Sequence, residues 1–201
     1  IHLHYGIVIK GQFKKNETVN LVVDKKKRDR IKIYHSATHL LHASLRQIFG
    51  THVTQNGSLV SFDRLRFDFN HPKHITDSDI KKIENVANKI IRQNDQVTIS
   101  IMQYKLAIEE GAMALFGEKY EDEVRVVSMG KKDNKSCFSM ELCGGTHVNK
   151  TKDINNIKII KQSSVAAGIR RIEALCGNDL LNYIKAEKKI SLIRKKEKQN
   201  K

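Results

Sequence analysis

The spacing of apolar residues along this chain changes several times and never settles into a repeating unit, which limits what it can fold into more than any other feature. Before residue 34 the apolar positions come in short pieces, Ile7-Val8-Ile9, Val19 to Val23 and Ile31 to Ile33, broken by Gly11 and polar turns. Short alternating runs with glycine between them read as strands joined by tight turns. From His35 the spacing becomes helical, with Ala37, Leu40, Leu41, Leu45, Ile48 and Phe49 on one stripe and Gly50 as a stop. Leu65, Phe67 and Phe69 then alternate with Arg64, Arg66 and Asp68, a strand with one buried and one charged face. Thr76 stands as a cap before a helix carrying Ile80, Ile83, Ala87 and Ile90. Strand spacing returns at Val97 to Ile101, Val124 to Met129, Phe138 to Leu142 and Ile157 to Ile160. Tyr104 to Phe116 reads as a helix interrupted at Gly111, and a lysine-rich helix runs from Asp179.

Helices and strands mix here without a repeating β-α-β rhythm, which argues for an α+β fold. The expected organisation is a small β-barrel-like subdomain over residues 1–33, a two-layer α/β core with an antiparallel sheet over 34–178, and the start of a C-terminal helix over 179–201. The chain opens on Ile1 and closes within a helical pattern, so it reads as a piece of a longer protein. Lysine and arginine outnumber aspartate and glutamate by 37 to 22, a formal charge of +15. That excess points to a polyanionic partner, nucleic acid before an acidic membrane. Compositional drift toward Lys, Asn and Ile accounts for part of it, in loop-like clusters such as Lys25-Lys26-Lys27-Arg28. No apolar run approaches the roughly 18 residues of a membrane span, and no signal peptide is evident. Three cysteines, at 137, 143 and 176, make no disulfide framework and suit a reducing compartment, expected to be the cytoplasm.

His35 and His39, four apart on a helix, project from one face and can share a metal ion. Cys143-Gly144-Gly145-Thr146-His147 offers a thiolate and an imidazole at the two ends of a glycine turn. Together the segments offer one sulfur and three nitrogens or fewer, a sensible tetrahedral zinc set. His42 reads as a partly buried, hydrogen-bonded histidine. Cys137 and Cys176 read as small buried hydrophobes. The Thr38 hydroxyl either meets a small substrate or bonds back to its own helix, and Gln55 lies in a polar turn. The residues between His35 and His39 include no glutamate, so the segment is not a metalloprotease motif, and no glycine-rich nucleotide loop is present.

Several longer segments carry a resemblance: His35-Ser36-Ala37-Thr38-His39-Leu40-Leu41-His42, Gly50 to Gln55, Leu65 to Phe69, Gly111 to Tyr120, Cys143 to Val148 and Ser164 to Ala174. Together they resemble the editing domain of bacterial alanyl-tRNA synthetases, and the start, with His2 and His4, is similar to the strand region preceding that domain. The resemblance implies His35, His39, Cys143 and His147 as zinc ligands. It implies Thr38, Gln55, Arg66 and Asp68 as catalytic residues, with Thr38, Gln55, Val165, Gly168 and Arg170 binding substrate. The implied reaction is hydrolysis of seryl- and glycyl-tRNA(Ala), with alanyl-tRNA(Ala) spared and no aminoacylation by this segment. The implied partners are tRNA(Ala) and other domains of the same polypeptide, with ATP binding a property of the full-length protein. Departures lie at Phe62, at Lys131 to Lys135, and at Lys152 and Asn155. Rival readings are a free-standing or threonyl-tRNA-type editing protein, and a zinc-stabilised nucleic-acid-binding module without catalysis.

Overall fold

The computed structural model describes residues 3–115, 119–131 and 136–199, without the side chains of 192–199. Phe116, Lys132 to Lys135, His2 and the last two positions, which figure in the sequence reading, lie outside the described residues.

The central element is a helix, α1 (Lys25–Phe49). Asp24 starts it by accepting a hydrogen bond from the Lys27 amide at 3.0 Å, leaving one fewer orphan donor at its end. Tyr34, Ser36 through His42, Ser44 and Leu45 are all buried, so from Tyr34 to Leu45 the helix is enclosed on nearly every side rather than along one stripe. It packs on a second helix, α2 (Asp77–Gln93), and on strands from two separate sheets. The α2 start is a reciprocal capping box: Thr76 accepts from the Asp79 amide while Asp79 accepts from the Thr76 amide.

One sheet has four strands in the order β1 (Gln55–Val60), β2 (Leu65–Asn70), β7 (Ile169–Cys176) and β6 (Ile157–Ala166), all antiparallel. Its inner face presents Leu65, Phe67, Phe69, Ile172 and Ala174 to a core shared with α1 and α2. Two α2 side chains cover its β6 edge. Asn88 exchanges hydrogen bonds with both backbone groups of Ile157, and Glu84 accepts from the Ile159 amide. Those edge groups are thereby closed to pairing with another chain. The second sheet is β3 (Thr98–Gln103), β4 (Glu123–Lys131) and β5 (Cys137–Leu142), also antiparallel. It gives Val127 and Met129 to the main core, and Val124, Val126 and Leu142 to a smaller one with Ala107 and Ala112. Ala107 comes from the short helix α3 (Tyr104–Glu109), and a long helix α4 (Gly177–Gln199) follows β7.

The α+β class and the antiparallel pairing agree with the sequence; the β-barrel-like subdomain does not. Both sheets are open, and residues 3–24 contain no strand. Ile7, Ile9 and Val22 are each more than 90% exposed, and before the α1 cap at Asp24 the backbone bonds described for this stretch are local ones between Lys14 and Glu17. An alternating pattern becomes a strand only when a neighbour satisfies its backbone groups, and among the described residues none lies beside this segment. Ile31 to Ile33 belong to α1, which starts ten residues before His35. The helix expected over Tyr104 to Phe116 ends at Glu109; a turn at Gly111 then sets Met113 in a bridge to Glu141.

Phe67 is fully buried, with its ring 4.9 Å from that of His42 and 5.9 Å from that of Phe69. Phe67→Ala is expected to lower unfolding stability by about 3–5 kcal/mol in urea denaturation. A loss below about 1.5 kcal/mol, the scale of a volume-conserving swap, would contradict this placement in the core.

Candidate metal centre

α1 holds His35 and His39 on one face, one turn apart, with ring centroids 5.1 Å from each other. The turn after β5 brings Cys143 and His147 to meet them from the other side. The His147 ring sits 4.2 Å from that of His35 and 4.7 Å from that of His39. Cys143 Sγ lies 3.5 Å from His35 Nε2 and 3.4 Å from His147 Nε2. All four donor atoms fall within 4.8 Å of one another. Zinc bonds of about 2.3 Å to sulfur and 2.05 Å to nitrogen, at the tetrahedral angle, separate those donors by about 3.6 Å. The sulfur–nitrogen distances to His35 and His147 already match, and the donor set is of the kind zinc prefers.

The glycines of the turn have unequal roles. Neither adopts a positive φ, so left-handed backbone is not what the turn requires. Gly145 is needed because a Cβ there would collide with the His35 ring, whereas a Cβ at Gly144 would meet open space. Arg125 on β4 fixes the turn by donating to the carbonyls of both Cys143 and Gly145. The Gly145 amide points at Cys143 Sγ from 3.4 Å. Ser36, fully buried, accepts from the Val148 amide and meets His147 Nδ1, each at 3.1 Å.

Burial dominates the electrostatics. It pushes His147 down to about 3, with the neighbouring His35 and Arg125 adding to the shift. It also lowers His35, against the pull of the Thr146 carbonyl, and lowers His39 well below its ordinary range. All three imidazoles are therefore neutral near pH 7, the form that binds a metal ion. Behind them, Glu141 lies buried with Oε2 3.3 Å from His39 Nδ1 and Oε1 3.7 Å from His42 Nδ1. Desolvation pushes Glu141 up to about 8, offset in part by a hydrogen bond from Ser139. His42, pushed down to about 4 by burial, lies 3.4 Å from the Val53 carbonyl through Nε2.

A cavity of about 250 Å³ opens beside the cluster, lined by His35, His39 and Cys143 together with Thr38, Gln55 and Phe67. Thr38 and Gln55 thus share a space with three of the four cluster residues. Thr38 Oγ1 donates back to the Tyr34 carbonyl at 2.8 Å, which leaves its lone pairs for a further donor. Gln55 is the first residue of β1 rather than part of a loop. Arg66 and Asp68 are placed differently. They alternate with Phe67 on β2 and so project from the opposite face of the sheet, where Arg171 grips Asp68 with two bonds of 2.7 Å. Arg66 Nε lies 3.7 Å from the same carboxylate. Val165, Gly168 and Arg170 sit at the β6–β7 hairpin and do not line the cavity. Arg170 donates to the Pro72 carbonyl, and the Gly168 carbonyl accepts from the His71 amide. A larger cleft of about 790 Å³ lies on the far side of Glu141 and touches none of the four cluster residues. Ser36, Arg125 and Glu141, which hold the cluster, had no motif of their own to reveal them.

Residues 124–173, which carry Cys143, His147 and most of β4 to β7, match the family described as the threonyl and alanyl tRNA synthetase second additional domain. That part of the frame, with the Cys143–His147 turn, is therefore similar to a tRNA-synthetase accessory domain. The chain is 54% identical over 189 residues to an alanine–tRNA ligase of Chelativorans sp. (strain BNC1), covering 92% of the chain and 21% of that protein. It is 56% identical over 180 residues to that of Rhizorhabdus wittichii, covering 88% of the chain and 20% of the relative. At this level of identity over most of its length, the chain belongs with the editing domain of the alanyl-tRNA ligases. It spans about one fifth of the length of these relatives.

The burial shifts set an acid limit on the metal-free protein. His42 and His147 hold out against protons down to about 4 and 3 when folded, but take them near their ordinary 6.5 when unfolded. The unfolded chain binds more protons in that window, so stability present above about pH 6.5 is lost as pH falls through the folded values. Glu141 acts in the opposite sense. Its proton is held up to about 8 when folded and released near 4.5 when unfolded, so stability falls as pH rises between those values. With two histidines set against one acid, the Tm of chelator-treated protein is expected to peak near pH 6.5. A Tm that rises steadily from pH 5 to 9 would show that these groups are not buried as described.

Proposed function

We propose that this chain hydrolyses the ester joining serine or glycine to the terminal adenosine of tRNA(Ala), spares alanyl-tRNA(Ala), and performs no aminoacylation. The observation that carries the reading is the cavity that Thr38 and Gln55 share with His35, His39 and Cys143 of the four-residue cluster. A volume near 250 Å³ falls below that of cavities which enclose drug-sized ligands, and suits an aminoacyl end rather than a whole nucleotide. The net charge of +15 and the homology to alanine–tRNA ligases support tRNA(Ala) as the carrier of that end. Other domains of the same cytoplasmic polypeptide deliver it and supply the ATP-dependent chemistry.

Zinc is the ion that the sulfur-and-imidazole set suits, and when bound it supplies a fixed positive charge beside the ester. The chain's own residues select the substrate. A site that accepts alanine cannot exclude glycine or serine strongly by size, because one methyl group is worth about 1–3 kcal/mol. A second site can instead require a group that alanine lacks. Thr38 has its proton committed to the Tyr34 carbonyl, so its oxygen accepts the proton of a serine side chain. Alanine brings no such donor, and the gap costs about 1–3 kcal/mol if the oxygen is left unpaired. Gln55 at the cavity wall offers an amide donor and acceptor to the substrate's backbone. In the reaction, water adds to the ester carbonyl carbon and the bond to the ribose oxygen breaks. The proton from water passes to that oxygen, and free serine leaves.

Four protein ligands fill a tetrahedral set, and this feature favours a second reading in which the ion only stabilises a tRNA-binding module. Release of labelled serine from seryl-tRNA(Ala) separates the two. Wild-type protein is expected to release serine faster than alanine, and Cys143→Ala to abolish release. Thr38→Val is expected to slow serine release roughly 10- to 100-fold while zinc stays bound. Salt-sensitive tRNA binding with no released amino acid would leave the binding-only reading in place.

A further inference from the structure

On the reading that the four-residue cluster holds zinc, a role falls to a fifth residue that no ligand motif contains. We propose that Glu141 is the positioning residue for the metal: it takes His39 Nδ1 as its partner, fixes the tautomer and ring plane of that imidazole, and leaves Nε2 as the donor to the ion.

Three observations carry the assignment. The first is geometric. Glu141 Oε2 is 3.3 Å from His39 Nδ1, and both side chains are over 90% buried. The approach is oblique, so His39 Nδ1 counts among the few buried polar atoms of the described residues that lack an aligned hydrogen bond. A buried ring nitrogen beside a buried carboxyl oxygen is costly unless the two share a proton.

The second is how Glu141 itself is held. Ser139 Oγ donates to Oε1 at 3.3 Å, and His42 Nδ1 stands 3.7 Å from the same oxygen. Glu141 is also the β5 residue paired with Val127 and bridged to Met113, so its backbone is tied on both sides. Oε1 is thereby engaged by neighbours outside the cluster, and Oε2 is directed at the ligand histidine. A carboxyl group needed only to fill space would have no reason to displace the leucine or methionine that packs there at lower cost.

The third is that the other two histidines have equivalent partners. His147 Nδ1 meets Ser36 Oγ at 3.1 Å, and His35 hydrogen-bonds the Thr146 backbone. His39 would be the one imidazole of the three with no outer partner if Glu141 were discounted. Ring nitrogens of metal-bound histidines are generally held in this way, and loss of such a partner weakens metal binding by about 10- to 100-fold.

The test is zinc affinity of the purified chain by competition with a chromophoric chelator, together with the visible absorption of the cobalt(II)-loaded protein. Wild-type protein is expected to bind one zinc ion. Glu141→Ala is expected to bind it about 10- to 100-fold more weakly, with altered cobalt band positions. Glu141→Gln keeps the shape but removes the carboxylate that would accept the His39 Nδ1 proton when the metal is bound, and is expected to fall between the two with its metal-free Tm retained, so the test stands if the alanine variant fails to fold. Wild-type affinity and an unchanged cobalt spectrum in Glu141→Gln would reduce Glu141 to packing and overturn the proposal. Absence of zinc binding by wild-type protein would instead overturn the metal reading, and this proposal with it.

Discussion

Everything at the centre of this molecule depends on the enclosure of α1 between two open sheets. A helix buried on nearly all sides must satisfy or neutralise every polar group it carries inward, and the segment from Ser36 to Ser44 carries five: Ser36, Thr38, His39, His42 and Ser44. Thr38 and Ser44 return their protons to the helix carbonyls of Tyr34 and Leu40. Ser36 and the two histidines instead reach across to the turn after β5 and to Glu141. The polar content of one buried helix is thus answered by one turn and one acid from the second sheet. The cluster forms where those two parts meet.

That arrangement also explains why the site has its chemical character. Burial drives the imidazoles toward the neutral form, and nearby positive charge from Arg125 reinforces it for His35 and His147. The same arginine holds the carbonyls of Cys143 and Gly145, so one side chain both shapes the turn and tunes the ligands. On the opposite side of the four-stranded sheet, the alternation that buries Phe67 turns Arg66 and Asp68 outward. They join Arg171 there in a charge network, built around the buried Asp68 carboxylate, that is separate from the cavity.

Much of this was legible in the residues. The four-residue spacing of His35 and His39 and the Cys143–His147 turn name the cluster, because each motif is local and carries its geometry with it. The strand Leu65 to Phe69 even contained the reason that Arg66 and Asp68 leave the pocket, since period two sets them on the face opposite Phe67. What could not be read was whatever depends on a distant partner. Residues 3–24 have a strand-like pattern but no neighbouring strand, and pattern alone does not provide one. Glu141, Ser36 and Arg125 are ordinary residues in the sequence; contacts across 18 to 112 positions give them their roles. Gly145 reads as a turn residue and proves to be a clearance for the His35 ring.

X-ray absorption at the zinc edge of the loaded protein tests most directly whether α1 and the β5 turn are joined by one zinc ion bound to one sulfur and three nitrogens. A single sulfur scatterer at about 2.3 Å and three imidazole nitrogens at about 2.0 Å are expected, with the sulfur lost in Cys143→Ala. A first shell of nitrogen and oxygen without sulfur would contradict that join.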